Sequence, residues 1–232
     1  MKNTWDKQDN SDLGAKLYLR RCFLCKYHAD DPPNVLDACQ GERMIWSVLE
    51  KEFKLAGYWG MDRNNQKGRF KITDSARVLA LPGWKQNVVD VDTYGTPWKH
   101  WLAILKNIAR PLTVFLTLGR TGISSALSDL ELQFIGMFDL RHHLRLRIYP
   151  GVSGALIGDL IVQIMLGHGN LNGRRVVEAK QVVSRTSSAK YFGIRILPQV
   201  LDSERVATYN NGKAGAANTG HSCQPCKEGS HV

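Results

Sequence analysis

Four aspartates at the ends of short runs that are typical of strands are the residues of this sequence with the clearest chemical potential. Asp62, Asp74 and Asp92 each directly follow such a run, and Asp37 lies inside one, just before a turn. If the runs are neighbouring parallel strands, their carboxyl ends meet at the sheet edge where α/β proteins bind ligands. Carboxylates are hydrogen-bond acceptors, so the series indicates one shared ligand. Taken singly, an aspartate in such a position is equally explained as the cap of a helix or turn.

The segment after Asp92 adds further chemistry to the same edge. It reads Thr93-Tyr94-Gly95-Thr96-Pro97, and the β-branched run of residues 88–91 before it suits a buried strand. Gly95 and Pro97 interrupt regular structure, and Pro97 suits the first turn of a helix, which needs no amide donor there. A carboxylate, an aromatic ring and a tight turn are therefore expected together at the end of one strand.

The elements that position these residues alternate between strand and helix, which predicts an α/β fold with a doubly wound, mostly parallel sheet. A C-terminal antiparallel hairpin is expected from two later strands joined by a polar turn. The predicted strands are residues 34–39, 58–61, 69–73, 88–91, 112–117, 174–183 and 191–197, and the predicted helices are residues 13–21, 43–55, 98–107, 130–138 and 154–166. A further strand is predicted at residues 144–148, inside a cationic insertion that spans residues 120–150.

Composition indicates a globular protein with a basic surface. The chain has 232 residues, 43% of them hydrophobic, and a formal net charge of +10. Such a charge favours a polyanionic partner such as DNA or RNA, although a solvated surface rich in lysine is the alternative. No apolar run approaches the ~20 residues of a membrane span, and the polar first residues lack the apolar core of a secretion signal. The expected location is the cytoplasm, with no membrane partner.

Two C-x-x-C pairs have the spacing of zinc ligands, since thiolate pairs at this separation suit tetrahedral zinc. The pairs are Cys22 with Cys25 and Cys223 with Cys226, at opposite ends of the chain. Chain termini often lie close together, so the four could share one ion. The alternatives are a site made by Cys22, Cys25, His28 and an outside ligand, or thiols that bind no metal. Cys39 is interpreted as a small buried residue and not as a nucleophile.

Over residues 33–198 the order of strands and acids resembles the class I S-adenosylmethionine-dependent methyltransferases, whose fold is a Rossmann-like sheet. Residues 35–43 (VLDACQGER) are similar to the family's first motif, with Gly41 at its first glycine and Arg43 in place of its second. The resemblance implies S-adenosyl-L-methionine as cofactor. Asp62 matches the acid that binds the ribose hydroxyls, and Asp74 the acid that binds the adenine amine. The implied cofactor-binding set is Asp37, Cys39, Gly41, Asp62, Asp74 and Ser75.

Residues 92–97 (DTYGTP) resemble the fourth motif of amino-methyltransferases, and most closely the Asp-Pro-Phe/Tyr-Gly-Ser-Pro of tRNA guanine-N2 methyltransferases. Thr93 stands where that family has proline. The resemblance implies that Asp92 accepts hydrogen bonds from an exocyclic amine and that Tyr94 stacks on the target base. The implied catalytic set is Asp92, Tyr94 and Pro97.

The leading hypothesis is therefore a methyltransferase acting on an exocyclic amine of a base in DNA or RNA. A methyltransferase for a protein or a small molecule is one alternative, and a non-catalytic nucleic-acid-binding protein on the same fold is another. The predicted organisation is an N-terminal extension (residues 1–32), a methyltransferase domain (33–198) and a flexible tail (199–232).

Overall fold

The computed structural model of the protein describes residues 12–41, 44–62, 71–72, 74–93, 95–119, 167, 174–185 and 189–198. The predicted elements at residues 130–138, 144–148 and 154–166, the whole cationic insertion and the C-terminal tail lie outside these ranges. In the part of the chain that the model describes, no helix is long and apolar enough to cross a membrane.

A seven-stranded sheet forms the centre of the molecule, with strand order β3-β2-β1-β4-β5-β7-β6. The first five strands pair in parallel, and β7 pairs antiparallel with both β5 and β6. The doubly wound sheet with a C-terminal antiparallel hairpin is thus confirmed. The strands are β1 (Asn34–Asp37), β2 (Gly57–Asp62), β3 (Lys71–Ile72), β4 (Val88–Val91), β5 (Leu112–Leu118), β6 (Arg174–Val183) and β7 (Lys190–Pro198).

Four helices are described: α1 (Leu13–Tyr27), α2 (Met44–Leu49), α3 (Ser75–Ala80) and α4 (Trp98–Asn107). The helix predicted at residues 98–107 is confirmed, and the one predicted at residues 13–21 continues to residue 27. The helix predicted at residues 43–55 is wrong in length, because the helix described here ends at Leu49. There the amides of Lys51 and Glu52 bond to carbonyls three residues earlier, and this tighter pattern turns the chain out of the α-helix.

Alternation along the strands gives the sheet two apolar faces. Leu36, Val89 and Val114 belong to the core under α3 and α4, which also holds the fully buried Trp98 and Trp101. Those two tryptophans are core residues. Val35, Val88 and Phe115 belong to the core under α1 and α2. Since side chains two positions apart share a face, the residues two positions after Val35 and Val88, which are Asp37 and Asp90, lie on the α1 side.

The contact between α1 and β7 leaves no room for a side chain at Gly193. A Cβ added there would lie 2.6 Å from Cε2 of Phe23, whose ring is buried and packs edge-on against Phe115. We expect Gly193→Ala to lower the free energy of unfolding by about 1–3 kcal/mol, the usual cost of overpacking a core. Gly14→Ala is the matched control, because its new Cβ meets only ordinary contacts and alanine favours a helix by up to ~1 kcal/mol. Equal stability of the two variants in urea unfolding would contradict this packing.

Candidate active site

The predicted acids lie on four neighbouring strands at one edge of the sheet. Asp37 and Asp62 are the last residues of β1 and β2, Asp92 directly follows β4, and Asp74 precedes α3 after β3. Because β3, β2, β1 and β4 are adjacent and parallel, their carboxyl ends form a continuous edge. The structure therefore brings together the four residues that the sequence singled out. Tyr94 lies outside the described residues.

The turn after β1 is held against the end of β2 by backbone hydrogen bonds. The amide of Gln40 donates to the carbonyl of Met61 at 2.9 Å, and the amide of Gly41 donates to Oδ2 of Asp62 at 3.0 Å. Gly41 has a φ of +53°, a conformation that costs glycine little and other residues more. The first-motif glycine is thus explained by its backbone, and its turn presents main chain beside the Asp62 carboxylate.

Asp74 is the N-cap of α3 and accepts a hydrogen bond from the amide of Ala76 at 3.2 Å. Capping accounts for its position in the chain without a ligand. Its side chain is still 22% exposed, and Nζ of Lys99 lies 3.7 Å from its Oδ2. Ser75 is buried beside it, with its hydroxyl 3.0 Å from Nε2 of His100.

Cys39 lies at the same edge and carries a thiol. Burial raises the pKa of this thiol well above its usual range. A protonated thiol is a poor nucleophile, which supports the interpretation that Cys39 is not a nucleophile, although its side chain is half-buried and not fully buried.

The loop after β4 is fastened to the end of β5. The hydroxyl of Thr93 donates to the carbonyl of Thr117 at 3.4 Å, and the amide of Gly119 donates to the carbonyl of Gly95 at 2.8 Å. Gly95 has a φ of +92°, which explains glycine at this position. Pro97 is buried directly before α4. These contacts fix the path of the loop that leaves Asp92.

The sequence did not predict that α1 packs against this end of the sheet and forms ion pairs with its aspartates. Arg20 makes a bidentate ion pair with Asp90, with Nε 2.8 Å from Oδ2 and Nη2 2.6 Å from Oδ1. Nε1 of Trp46 donates to the same Oδ2 at 2.8 Å. The two charged side chains are only 2% and 1% exposed, so the pair is desolvated and depends on these hydrogen bonds.

Lys16, one helical turn before Arg20, makes the second ion pair, with Nζ 2.6 Å from Oδ2 of Asp92. The spacings match: residues i and i+4 of a helix are ~6 Å apart along its axis, and residues i and i+2 of a strand ~6.6 Å apart. The sequence patterns K-x-x-x-R and D-x-D are therefore complementary. Each is visible in the sequence, but their pairing is not.

Asp37 shares this face of the sheet and pairs in register with Asp90. Its Oδ2 accepts a hydrogen bond from the hydroxyl of Tyr58 at 2.8 Å, and its Oδ1 lies 3.4 Å from the amide of Cys39. Burial, reinforced by the charge of Asp90, raises the pKa of Asp37 to about 8. Burial therefore favours the protonated form of the Asp37 carboxyl.

Of the four cysteines predicted to bind zinc, the two that the structure describes lie on α1. Cys22 and Cys25 are one helical turn apart and half-buried. The ring nitrogens of His28 lie 3.0 Å from the carbonyl of Asp31 and 2.9 Å from the hydroxyl of Thr113. Because both nitrogens have protein partners, the arrangement does not favour the alternative that uses His28. The described residues contain no group of three potential metal ligands; Cys223 and Cys226 lie outside them, and zinc stays a prediction.

Comparison with solved structures identifies the class of fold. The structure of Trm1 from Pyrococcus horikoshii with S-adenosyl-L-methionine matches with a TM-score of 0.51 and 11% sequence identity, over 80% of this chain and 55% of that one. This chain thus spans little more than half of that protein. The fold is that of the class I S-adenosylmethionine-dependent methyltransferases.

Two other structures are similar with lower scores. M. jannaschii TYW2 in complex with AdoMet matches with a TM-score of 0.47 and 9% identity, over 82% of this chain and 78% of that one. Magnesium protoporphyrin IX methyltransferase from Synechocystis PCC 6803 with bound SAH matches with a TM-score of 0.43 and 14% identity, over 79% and 83%. No protein-family model and no curated protein matches the sequence.

Proposed function

We propose that the protein is an S-adenosyl-L-methionine-dependent methyltransferase that methylates an exocyclic amine of a base in DNA or RNA. The observation that carries the proposal is the placement of Asp37, Asp62, Asp74 and Asp92 along one carboxyl edge of a sheet with the class I methyltransferase fold. Ligands of open α/β sheets bind at this edge. The fastened loop from Asp92 to Pro97 supplies the second half of the site.

The residues at the edge fit the proposed cofactor. The Gly41 turn presents backbone beside Asp62, and the Asp62 carboxylate would accept hydrogen bonds from the ribose hydroxyls. Asp74 has a partly exposed carboxylate next to Ser75, where it would accept a hydrogen bond from the adenine amine. Asp37 and Cys39 line the start of the turn. When bound, the cofactor supplies a methyl group on a sulfonium, which is a good leaving group.

Asp92 is the group proposed to receive the target amine. Its carboxylate accepts hydrogen bonds, and its side chain is 22% exposed at the end of β4. An amine held there has its lone pair oriented for in-line transfer, and positioning of this kind is the main contribution that the protein makes. Tyr94 would stack on the base, which is worth ~1–3 kcal/mol. Pro97 holds the loop at the start of α4.

The net charge of +10 supports a nucleic acid as the carrier of that amine, because Lys and Arg replace the counterions of phosphates. The test is incubation of the protein with labelled S-adenosyl-L-methionine and separate pools of DNA, tRNA and rRNA. We expect label in one of the pools. Label in protein or small molecules alone would favour the alternative methyltransferase. Salt-sensitive nucleic-acid binding without cofactor binding would favour a non-catalytic binding protein.

The cofactor assignment predicts that Asp62→Ala and Asp74→Ala each weaken S-adenosyl-L-methionine binding. Loss of a hydrogen bond to the ligand should cost about 1–3 kcal/mol, measured by titration calorimetry. Asp31→Ala is the matched control, because Asp31 accepts a hydrogen bond from Asn87 at the opposite edge of the sheet. Unchanged affinity in both site variants, with the three proteins equally folded, would refute the assignment.

A further inference from the structure

The ion pair of Lys16 with Asp92 has a consequence for the substrate. The ammonium of Lys16 lies 2.6 Å from Oδ2 of Asp92 and 5.4 Å from the ring centroid of Tyr191. The Lys16 side chain is 6% exposed, so its charge is taken out of water and is stabilised chiefly by these two groups. One oxygen of the Asp92 carboxylate is thus already bound to a cation. Within the described residues, Oδ1 of Asp92 accepts no hydrogen bond.

The charges around Asp92 balance without a substrate. Lys16 and Arg20 on α1 contribute two positive charges, and Asp90 on β4 and Asp92 directly after it contribute two negative ones. Asp37 on β1 faces the same cluster, and burial raises its pKa, which favours its uncharged form. A cation brought to Oδ1 of Asp92 would be an extra charge in a poorly solvated site, whereas an uncharged amine would add none.

We infer that Lys16 determines substrate specificity: it fills the cation position beside Asp92 and so restricts the methyl acceptor to an uncharged amine. The inference rests on the proposed role of Asp92 as the group that receives the target amine. It adds to that role by naming the acceptors that are excluded, which are amines that carry a positive charge. The side chain of a lysine in a protein substrate is such an amine, because free lysine has a pKa of ~10.4 and is a cation at neutral pH. The exocyclic amines of nucleobases are conjugated with the ring and uncharged, so they fit the balanced site.

Alkylammonium rescue tests this inference without any methylation assay. Lys16→Ala leaves Asp92 unpaired beside a vacated channel, and added butylammonium should bind there and raise the unfolding midpoint by about 2–4 °C. Butanol, which has the same chain without the charge, should not. The wild-type protein should not respond to butylammonium, because Lys16 already occupies the position. Lys16→Ala combined with Asp92→Asn should lose the response.

A wild-type protein that is stabilised by butylammonium as much as Lys16→Ala would overturn the inference, and so would a variant without any response. If Lys16→Ala does not fold, the inference is tested on the wild-type protein by chemical acetylation of its lysine amines. Mass spectrometry then gives the acetylation rate of each lysine. Lys16 should react at least tenfold more slowly than Lys99, whose side chain is 68% exposed, and equal rates would refute the closed cation position. Both measurements are independent of turnover, so a failure of the proposed function is distinguishable from a failure of this inference.

Once a nucleic acid that the protein methylates is known, the rate of methyl transfer gives a further test of the role of Lys16. Lys16→Met should lower kcat by about tenfold or more and leave the affinity for S-adenosyl-L-methionine unchanged, since the proposed cofactor acids lie on other strands. Lys16→Arg, which keeps the cation, should recover part of the rate. A purely structural role for Lys16 would instead lower stability in both variants and leave kcat of the folded fraction unchanged.

Discussion

Asp92→Ala is expected to abolish methyl transfer while the binding of S-adenosyl-L-methionine survives. The variant removes the acceptor that orients the target amine, and loss of one such preorganised group costs on the order of 10²–10³-fold in kcat. The proposed cofactor acids Asp62 and Asp74 belong to other strands, so calorimetry should report nearly unchanged cofactor affinity. Initial rates with labelled cofactor on the active nucleic acid are the measurement.

Asp92→Ala also breaks the ion pair of Asp92 with Lys16, so a control must separate the loss of rate from a loss of stability. Asp92→Ala leaves the ammonium of Lys16 unpaired in a site where its side chain is 6% exposed, which lowers stability as well. The double variant Asp92→Ala with Lys16→Met removes both charges and should recover most of that stability. If the double variant is stable and binds cofactor but has a much lower rate than Lys16→Met alone, the difference in rate is assigned to the chemistry of Asp92. Full methylation by Asp92→Ala would remove this strand end from the mechanism.

The largest expected effect on stability is that of Arg20→Met. It leaves the carboxylate of Asp90 buried with Trp46 as its remaining side-chain donor, and removal of one partner from a buried ion pair costs about 3–5 kcal/mol. Urea unfolding measures this loss. Adding Asp90→Asn should restore part of it, since the uncompensated charge is then gone.

Arg21→Met is the matched control on the same helix. Arg21 pairs with Glu52 in the same bidentate geometry, at 2.7 and 2.6 Å, but the two side chains are 38% and 37% exposed. Exposed ion pairs contribute about 0–1 kcal/mol, so this variant should be nearly as stable as the wild type. Equal effects of Arg20→Met and Arg21→Met would show that burial of the Arg20 pair is not what stabilises α1 on the sheet.

The strands were predictable because they are rich in apolar and β-branched residues, which favour a buried strand. The run of residues 88–91, for example, has three valines among its four residues, and β-branched residues favour strands. The aspartates that follow such runs mark the sheet edge without any knowledge of tertiary structure. The hairpin of β6 and β7 was equally visible. The length of α2 was not, because the apolar spacing that predicts the helix continues into residues whose amides form tighter turns.

The ion pairs of α1 with β4 were not predictable for a different reason. Arg20 and Asp90 are 70 positions apart and Lys16 and Asp92 are 76 apart, and nothing local fixes which helix covers which strand. Packing decides such contacts, so the balance of charge around Asp92 emerges only from the folded structure.

The most direct test of the central claim is the identity of the methylated atom. Nucleic acid labelled by the wild-type protein is digested to nucleosides, and mass spectrometry with authentic standards locates the methyl group. The prediction is a methyl group on an exocyclic nitrogen of a base, absent from the product of Asp92→Ala. A methyl group on a ring carbon or a ribose oxygen would contradict it, because an acceptor of that kind has no need of the Asp92 carboxylate as described here.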